Sequence, residues 1–190
     1  MKTALFFGSF NPIHIGHVAI AGYILEYTNT DELWFVVSPQ NPLKEKSQLA
    51  DNQHRLKMVK LAANNHSDKI KVCDVEMEMP RPSYTIDTLN HLVEIYPNRE
   101  FSVIMGADSL ASIEKWKNYK ELLENHEILV YPRIGYNLEK LTSNYRVTGI
   151  NAPIIEISST FIRDMLKQGK DARYFMPGEA YSYLIENKVY

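Results

Sequence analysis

The sequence predicts an α/β domain: a parallel sheet with helices on both faces. Apolar runs of strand length recur along the chain, and the segments between them mostly carry apolar residues at helical period. The length of 190 residues, 45% of them hydrophobic, allows one sizeable core and is short for two full domains, so a single domain over 1–190 is expected.

The strand candidates are, in order, Thr3 to Phe7, Leu33 to Val37, Ile70 to Val75, Phe101 to Met105 and Ile128 to Tyr131. Between them, Val18 to Tyr27 is apolar on nearly every side. Leu56, Val59 and Ala63 share one helical face, as do Ile86, Leu89 and Val93. Helices of this kind would cover both faces of the sheet. Near the end, Ser158, Ser159 and Thr160 open a helix marked by Phe161, Ile162, Met165 and Leu166, and Gly169 is placed to stop it. A last helix from about Pro177 carries Tyr181, Leu184 and Ile185 inward. The stretch from Pro132 to Pro153 is polar and weakly periodic, and reads as connections and short strands.

Composition narrows the function. The 21 basic residues against 23 acidic ones give a formal charge of -2 without a long run of either sign, which argues against a nucleic-acid partner and means that any phosphate must be gripped locally. The apolar run at the start turns polar at Ser9, Asn11 and Pro12, too soon for a signal or membrane segment, so a soluble cytoplasmic protein with no membrane partner is expected. Cys73 is single and lies in the alternating run IKVCDV, where a small buried residue is expected rather than a disulfide or a zinc ligand.

The most informative stretch runs from Gly8 to His17, between the first strand and the first helix. A helix N-terminus at that place offers unpaired N–H groups and partial positive charge, and Gly8 and Gly16 would let the backbone come close to a ligand. The spacing is neither that of a dinucleotide-binding loop nor that of a P-loop. Its two histidines, His14 and His17, suit three readings: N–H donors to phosphate oxygens, metal ligands, or structural caps of the helix.

FFGSFNPIHIGH resembles the first signature of the HxGH nucleotidyltransferases, and ISSTFIR at Ile157 to Arg163 resembles their second. Ser9 and Asn11 depart from the usual Thr and Asp, each keeping a short polar turn-forming side chain. The resemblance implies a Rossmann-like, doubly wound parallel sheet in a single domain, whose C-terminal helical part, from about residue 157, carries the second motif. It implies that Gly8, Ser9, Phe10, Gly16, Ile157, Ser158, Ser159 and Thr160 surround ATP, with His14, His17 and Arg163 as the catalytic groups. Apart from the motif, Arg163 would read as an exposed helix arginine.

Arg81 to Leu89 (RPSYTIDTL), and Met105 to Ser109 followed by Trp116, resemble two further blocks of the bacterial nicotinate mononucleotide adenylyltransferases. That resemblance spans nearly the whole chain. It implies a mononucleotide site at Lys44, Ser83, Tyr84, Thr85, Asp108, Trp116 and Arg133. A helix opening at Ser83 to Thr85 would offer N–H groups to a carboxylate, Trp116 a planar face to a pyridine ring, and Asp108 an acceptor for ribose hydroxyls. Each also has a plainer reading, as core tryptophan, helix cap or solvated loop lysine. Lys44 competes with Lys46, and Arg133 stands in RIG where RPG is more usual.

The implied reaction joins ATP to nicotinate mononucleotide with release of pyrophosphate, with Mg2+ accompanying ATP and no metal held by the protein alone. A pantetheine-phosphate adenylyltransferase is the rival within the enzyme class, disfavoured by Ser83 to Leu89; a non-catalytic nucleotide-sensing module is the rival outside it. A homo-oligomer is compatible with the sequence.

Overall fold

The computed structural model describes residues 1–39, 49–64 and 67–190. Six strands form one all-parallel sheet in the order β3-β2-β1-β4-β5-β6, with β1 at Lys2–Gly8, β2 at Glu32–Val37, β3 at Ile70–Cys73, β4 at Glu100–Gly106, β5 at Glu127–Tyr131 and β6 at Thr148–Gly149. The order reverses between β1 and β4. In open α/β sheets that reversal leaves a crevice at the carboxyl ends of the two strands, because the connections leaving them run to opposite sides.

Alternation along the strands sorts side chains to two cores. Ala4, Phe6, Leu33, Phe35, Val37, Ile104 and Leu129 face one side, where α1 (Ile15–Tyr27), α2 (Asn52–Asn64), α7 (Ser159–Lys167) and α8 (Gly178–Glu186) supply Ile20, Ile24, Val59, Ile162 and Leu184. Leu5, Trp34, Val36, Val103, Met105, Ile128 and Val130 face the other, against α3 (Thr85–Ile95), α4 (Ala107–Leu110) and α5 (Tyr119–Asn125). The doubly wound arrangement expected from the sequence is therefore the one found.

The strand candidates match β1, β2, β4 and β5 closely, because these strands are largely apolar on both faces and read as continuous runs, while β3 is matched through its alternation. β3 ends at Cys73, before a 3-10 turn at Val75–Met77. The Cys73 thiol is half-buried, and burial raises its pKa to about 11. In α3 the inward stripe is Ile86, Thr88, Leu89 and Leu92, and Val93 is 43% exposed. Inclusion of Thr88, held from the 3-10 turn, rotates the stripe away from Val93. In α8 the inward pair is Ala180 and Leu184, which leaves Ile185, one residue and about 100° further round, on the outer side. Phe161 is likewise outward in α7, and Arg163 is the side chain buried beside Ile162. The weakly periodic stretch after β5 holds a short helix, α6 (Leu138–Thr142), and the two-residue edge strand β6. Gly169, at φ +69°, closes α7 as expected, its N–H donating to Leu166.

Candidate active site

Two cavities open at the carboxyl ends of β1, β4 and β5, and Phe6 and Tyr131 line both. The first, of about 430 Å³, lies between the loop after β1 and the N-terminus of α7. The second, of about 360 Å³, lies between β4, the start of α3 and Trp116. The two stretches of sequence that resemble phosphate motifs thus meet at the first cavity, although His17, which ends the first, and Ile157, which begins the second, are 140 positions apart.

The first loop is fastened from several directions. Arg163 donates to the Asn11 carbonyl at 2.8 Å and to the Thr160 hydroxyl at 3.2 Å. Ser159 donates its hydroxyl proton to the Pro12 carbonyl at 2.8 Å. The Asn11 side-chain oxygen accepts from the Ala50 N–H at 3.0 Å and from the Tyr190 hydroxyl at 2.7 Å. Beneath the loop, fully buried Arg55 spends its donors on the carbonyls of Ser9, Ser38, Pro39 and Ala50 and on the Asn52 side chain. The five N–H groups of a guanidinium are thereby satisfied without a carboxylate. Arg55 and Tyr190 are the site-building residues that the sequence did not single out, and Asn11 was noted only as a turn-forming residue of the first signature. Arg55 sits inside an amphipathic helical pattern with no local mark of its partners.

The glycines serve the motif's own rings. A Cβ on Gly8 would stand 2.9 Å from the Phe10 ring, and one on Gly16 would stand 3.0 Å from His14 Nδ1. Gly8 therefore makes room for Phe10, which is buried in the core at φ +43° and lines neither cavity, while Gly8 itself lines the second cavity. Phe10 and Gly8 thus stand apart from the other residues expected around ATP, since Ser9, Gly16, Ile157, Ser158, Ser159 and Thr160 all line the first cavity.

His14 is the N-cap residue of α1 and stacks on His17, ring centroids 3.7 Å apart. The His14 N–H donates to His17 Nδ1 at 3.2 Å, so the neutral His17 ring carries its proton on Nε2. Phe6 and Phe10 set their edges against His17 at 5.9 and 5.0 Å and hold its plane. Both histidines line the first cavity together with Arg163. Among the described residues no group of three or more His, Cys, Asp or Glu side chains is disposed to hold a metal ion.

Burial, reinforced by the nearby Arg133 guanidinium, lowers the His14 pKa from 6.5 to about 4. An unfolded chain takes up this proton near 6.5, and the folded chain refuses it down to about 4. Stability is therefore complete above that window, declines as pH falls through it, and levels off below. The decline from this one group is expected to reach about 3 kcal/mol. Urea unfolding at pH 7 and pH 4.5 checks it: His14→Asn, which keeps an N-cap side chain, should show a shallower pH slope than the unmodified protein. Equal slopes would refute the assignment.

Ser83, Tyr84, Thr85 and Trp116 all line the second cavity. Tyr84 caps α3 without a side-chain hydrogen bond to the helix, so the first-turn N–H groups are not taken up by a cap. Ser83 is committed: its hydroxyl donates to buried Glu76 at 2.8 Å. Asp108 and Arg133 line no part of the second cavity. They pair with each other at 3.5 Å on the rim of the first, where Arg133 lines the wall and Asp108 Oδ1 folds back over Gly106. The short turn from Gly106 into α4 aims Asp108 away from the α3 side, which the spacing alone did not reveal. Lys44 and its competitor Lys46 lie outside the described residues.

Residues 5–165 match the model of the cytidylyltransferase-like family. A protein of Flavobacterium johnsoniae named "Probable nicotinate-nucleotide adenylyltransferase" is 50% identical over 100% of this chain and 99% of its own length. One of the same name from Christiangramia forsetii is 46% identical over 100% and 98%. The chain belongs to the nicotinate-nucleotide adenylyltransferases of the cytidylyltransferase-like family. A solved structure of Plasmodium falciparum nicotinic acid mononucleotide adenylyltransferase complexed with NaAD shares the fold, with a TM-score of 0.84 at 24% identity over 99% of this chain and 96% of that one.

Proposed function

We propose that this enzyme transfers the adenylyl group of ATP to nicotinate mononucleotide, forming nicotinate adenine dinucleotide and pyrophosphate, a step toward NAD. The observation that carries this reading is the pair of cavities sharing one wall at Phe6 and Tyr131. One is ringed by imidazole, guanidinium and helix N-terminus, the other by a helix N-terminus and an indole. Two phosphate-bearing ligands placed in them would bring a phosphate of each to the shared wall.

In the reaction, an oxygen of the mononucleotide phosphate bonds to the α-phosphorus of ATP, and the bond from that phosphorus to the bridging oxygen of the leaving pyrophosphate breaks. The nucleophile is already an anion, so no side chain needs to remove a proton. The protein aligns the groups and offsets charge. In this reading His14, His17 and Arg163 face the triphosphate with Ser9, Gly16 and the Ile157 to Thr160 segment, while Ser83, Tyr84, Thr85 and Trp116 receive the mononucleotide. Arg133, on the wall of the first cavity, and Asp108, paired with it on the rim, add a charge of each sign beside the bound nucleotides. A divalent cation, magnesium in this proposal, would neutralise the phosphates of ATP and of the leaving pyrophosphate, and would take most of its oxygen ligands from the phosphates and water. A cytoplasmic setting belongs to the same reading, and among the described residues no helix is long and apolar enough to cross a membrane.

Incubation with Mg-ATP and nicotinate mononucleotide should release pyrophosphate and dinucleotide in equal amounts, with no turnover of phosphopantetheine. Exhaustive chelation should abolish activity, and magnesium alone should restore it in full. Activity that returns only with zinc would overturn the cation assignment, and absence of dinucleotide would overturn the function.

A further inference from the structure

Glu76 is 2% exposed, yet it lines the second cavity and belongs to none of the motifs that build the site. It sits in the 3-10 turn after β3, and its two carboxylate oxygens take different partners on the next element. Oε2 accepts from the Ser83 hydroxyl at 2.8 Å, just before α3, and Oε1 accepts from the Thr88 hydroxyl at 2.8 Å, in the first turn of α3. A carboxylate is costly to bury, and here both oxygens are spent on fastening one helix start.

We propose that Glu76 is a positioning residue of the acceptor cavity: by holding Ser83 and Thr88 it fixes the direction in which the first-turn N–H groups of α3 face the bound mononucleotide. This rests on the reading of the second cavity as the mononucleotide site. Glu76 acts through the helix and touches no reacting atom, so its effect falls on one substrate. ATP, in the other cavity, is untouched by it.

The geometry also separates the hydrogen bonds from the charge. Thr88 Oγ1 lies within reach of a second acceptor, the Tyr84 carbonyl at 3.2 Å. In E76Q the amide oxygen can accept from Ser83, the amide N–H₂ can donate to Thr88 Oγ1, and the Thr88 proton can turn wholly to Tyr84. Every bond is kept with the charge removed. In E76A both hydroxyls lose their holder.

The test is steady-state kinetics with each substrate varied in turn, together with calorimetric binding of nicotinate mononucleotide alone. E76A is expected to raise the KM and Kd for the mononucleotide about tenfold, a typical cost of losing preorganisation, with the KM for ATP unchanged. E76Q is expected to stay within about twofold of the unmodified protein. Should E76A fail to fold, Thr88→Val removes one of the two holders isosterically and should raise the mononucleotide KM alone. Equal rises for both substrates, no rise for either, or an E76Q as impaired as E76A would overturn the proposal. Failure of the functional reading is distinct from all of these, since then the unmodified protein itself would neither bind nor turn over nicotinate mononucleotide.

Discussion

Replacing His17 by alanine is expected to lower turnover by about a hundredfold to a thousandfold while the protein stays folded, the loss typical of removing one preorganised donor to a transition state. The structure makes His17 suited to that task for reasons beyond its place in a motif. Its Nδ1 accepts the His14 N–H, so the tautomer is fixed with the proton on Nε2. Its plane is held by the stacked His14 ring and by the edges of Phe6 and Phe10. A donor held in this way needs no reorganisation as charge moves onto the leaving phosphates. The capping contact is a confounder, because alanine also removes the acceptor for the His14 N–H, worth about 1 kcal/mol at a helix start. His17→Gln resolves it. Glutamine at the third helical position is the usual partner of a capping box and still carries an N–H donor. Thermal melting should show Gln near the unmodified protein and Ala slightly lower, and turnover should rank unmodified, Gln, Ala. Alanine with a near-normal rate would remove His17 from the catalytic groups, and a rate loss matched by unfolding would return it to a purely capping role.

What the sequence disclosed follows from how local each signal is. The runs at Thr3 to Phe7 and Ile128 to Tyr131 are strands because both of their faces are buried, and continuous apolarity is visible without knowing the neighbours. The order of the strands is less local, yet helical segments between parallel strands leave few ways to arrange them. The site was legible where it is contiguous: Ser158 caps α7 by accepting the Phe161 N–H at 3.1 Å, as its position before an apolar run implies. It was not legible where one residue serves distant segments. Arg55 reaches Ser9, 46 positions away, and Tyr190 reaches Asn11, 179 positions away, and nothing in the flanking residues marks either. The contact between Gly8 and the Phe10 ring was not legible either, since Phe10 belongs to the same motif and folds back on it at a positive φ. Asp108 and Arg133 were placed at the acceptor by the resemblance, and the side chains' pairing on the rim of the first cavity is set by the turn at Gly106 and the loop after β5, which lie 27 positions apart at Gly106 and Arg133.

Nicotinate mononucleotide is expected to be preferred over the nicotinamide form by roughly ten- to a thousandfold in kcat/KM, one or two charge-assisted hydrogen bonds at about 1.5 to 3 kcal/mol each. The cavity that would receive the ring is lined by the N-terminus of α3, where Tyr84 supplies no capping side chain. A carboxylate can accept from such N–H groups through either oxygen and carries a charge, whereas a neutral carboxamide offers one accepting oxygen and sets an N–H₂ donor where the other would be. The two nearby acid groups do not reverse the preference. Both oxygens of Glu76 are engaged by Ser83 and Thr88, and Asp87 is paired with Lys117 at 2.8 Å, whose ammonium also lies 5.0 Å from the Tyr84 ring. Lys115, on the wall of the same cavity, adds a positive charge that favours the acid over the amide. A backbone donor cannot be deleted by changing a side chain, so the informative change is Thr85→Pro. Thr85 is the first residue of α3, where proline preserves the helix and removes one N–H. Thr85→Ala removes only the hydroxyl. If the backbone carries the choice, Thr85→Pro should lower kcat/KM for nicotinate mononucleotide and leave the poor rate with nicotinamide mononucleotide nearly unchanged, so that the ratio narrows, while Thr85→Ala keeps it. Equal specificity constants for the two mononucleotides in the unmodified protein would sink the nicotinate assignment. A ratio that narrows with alanine as much as with proline would move the contact from the backbone of α3 to the Thr85 hydroxyl.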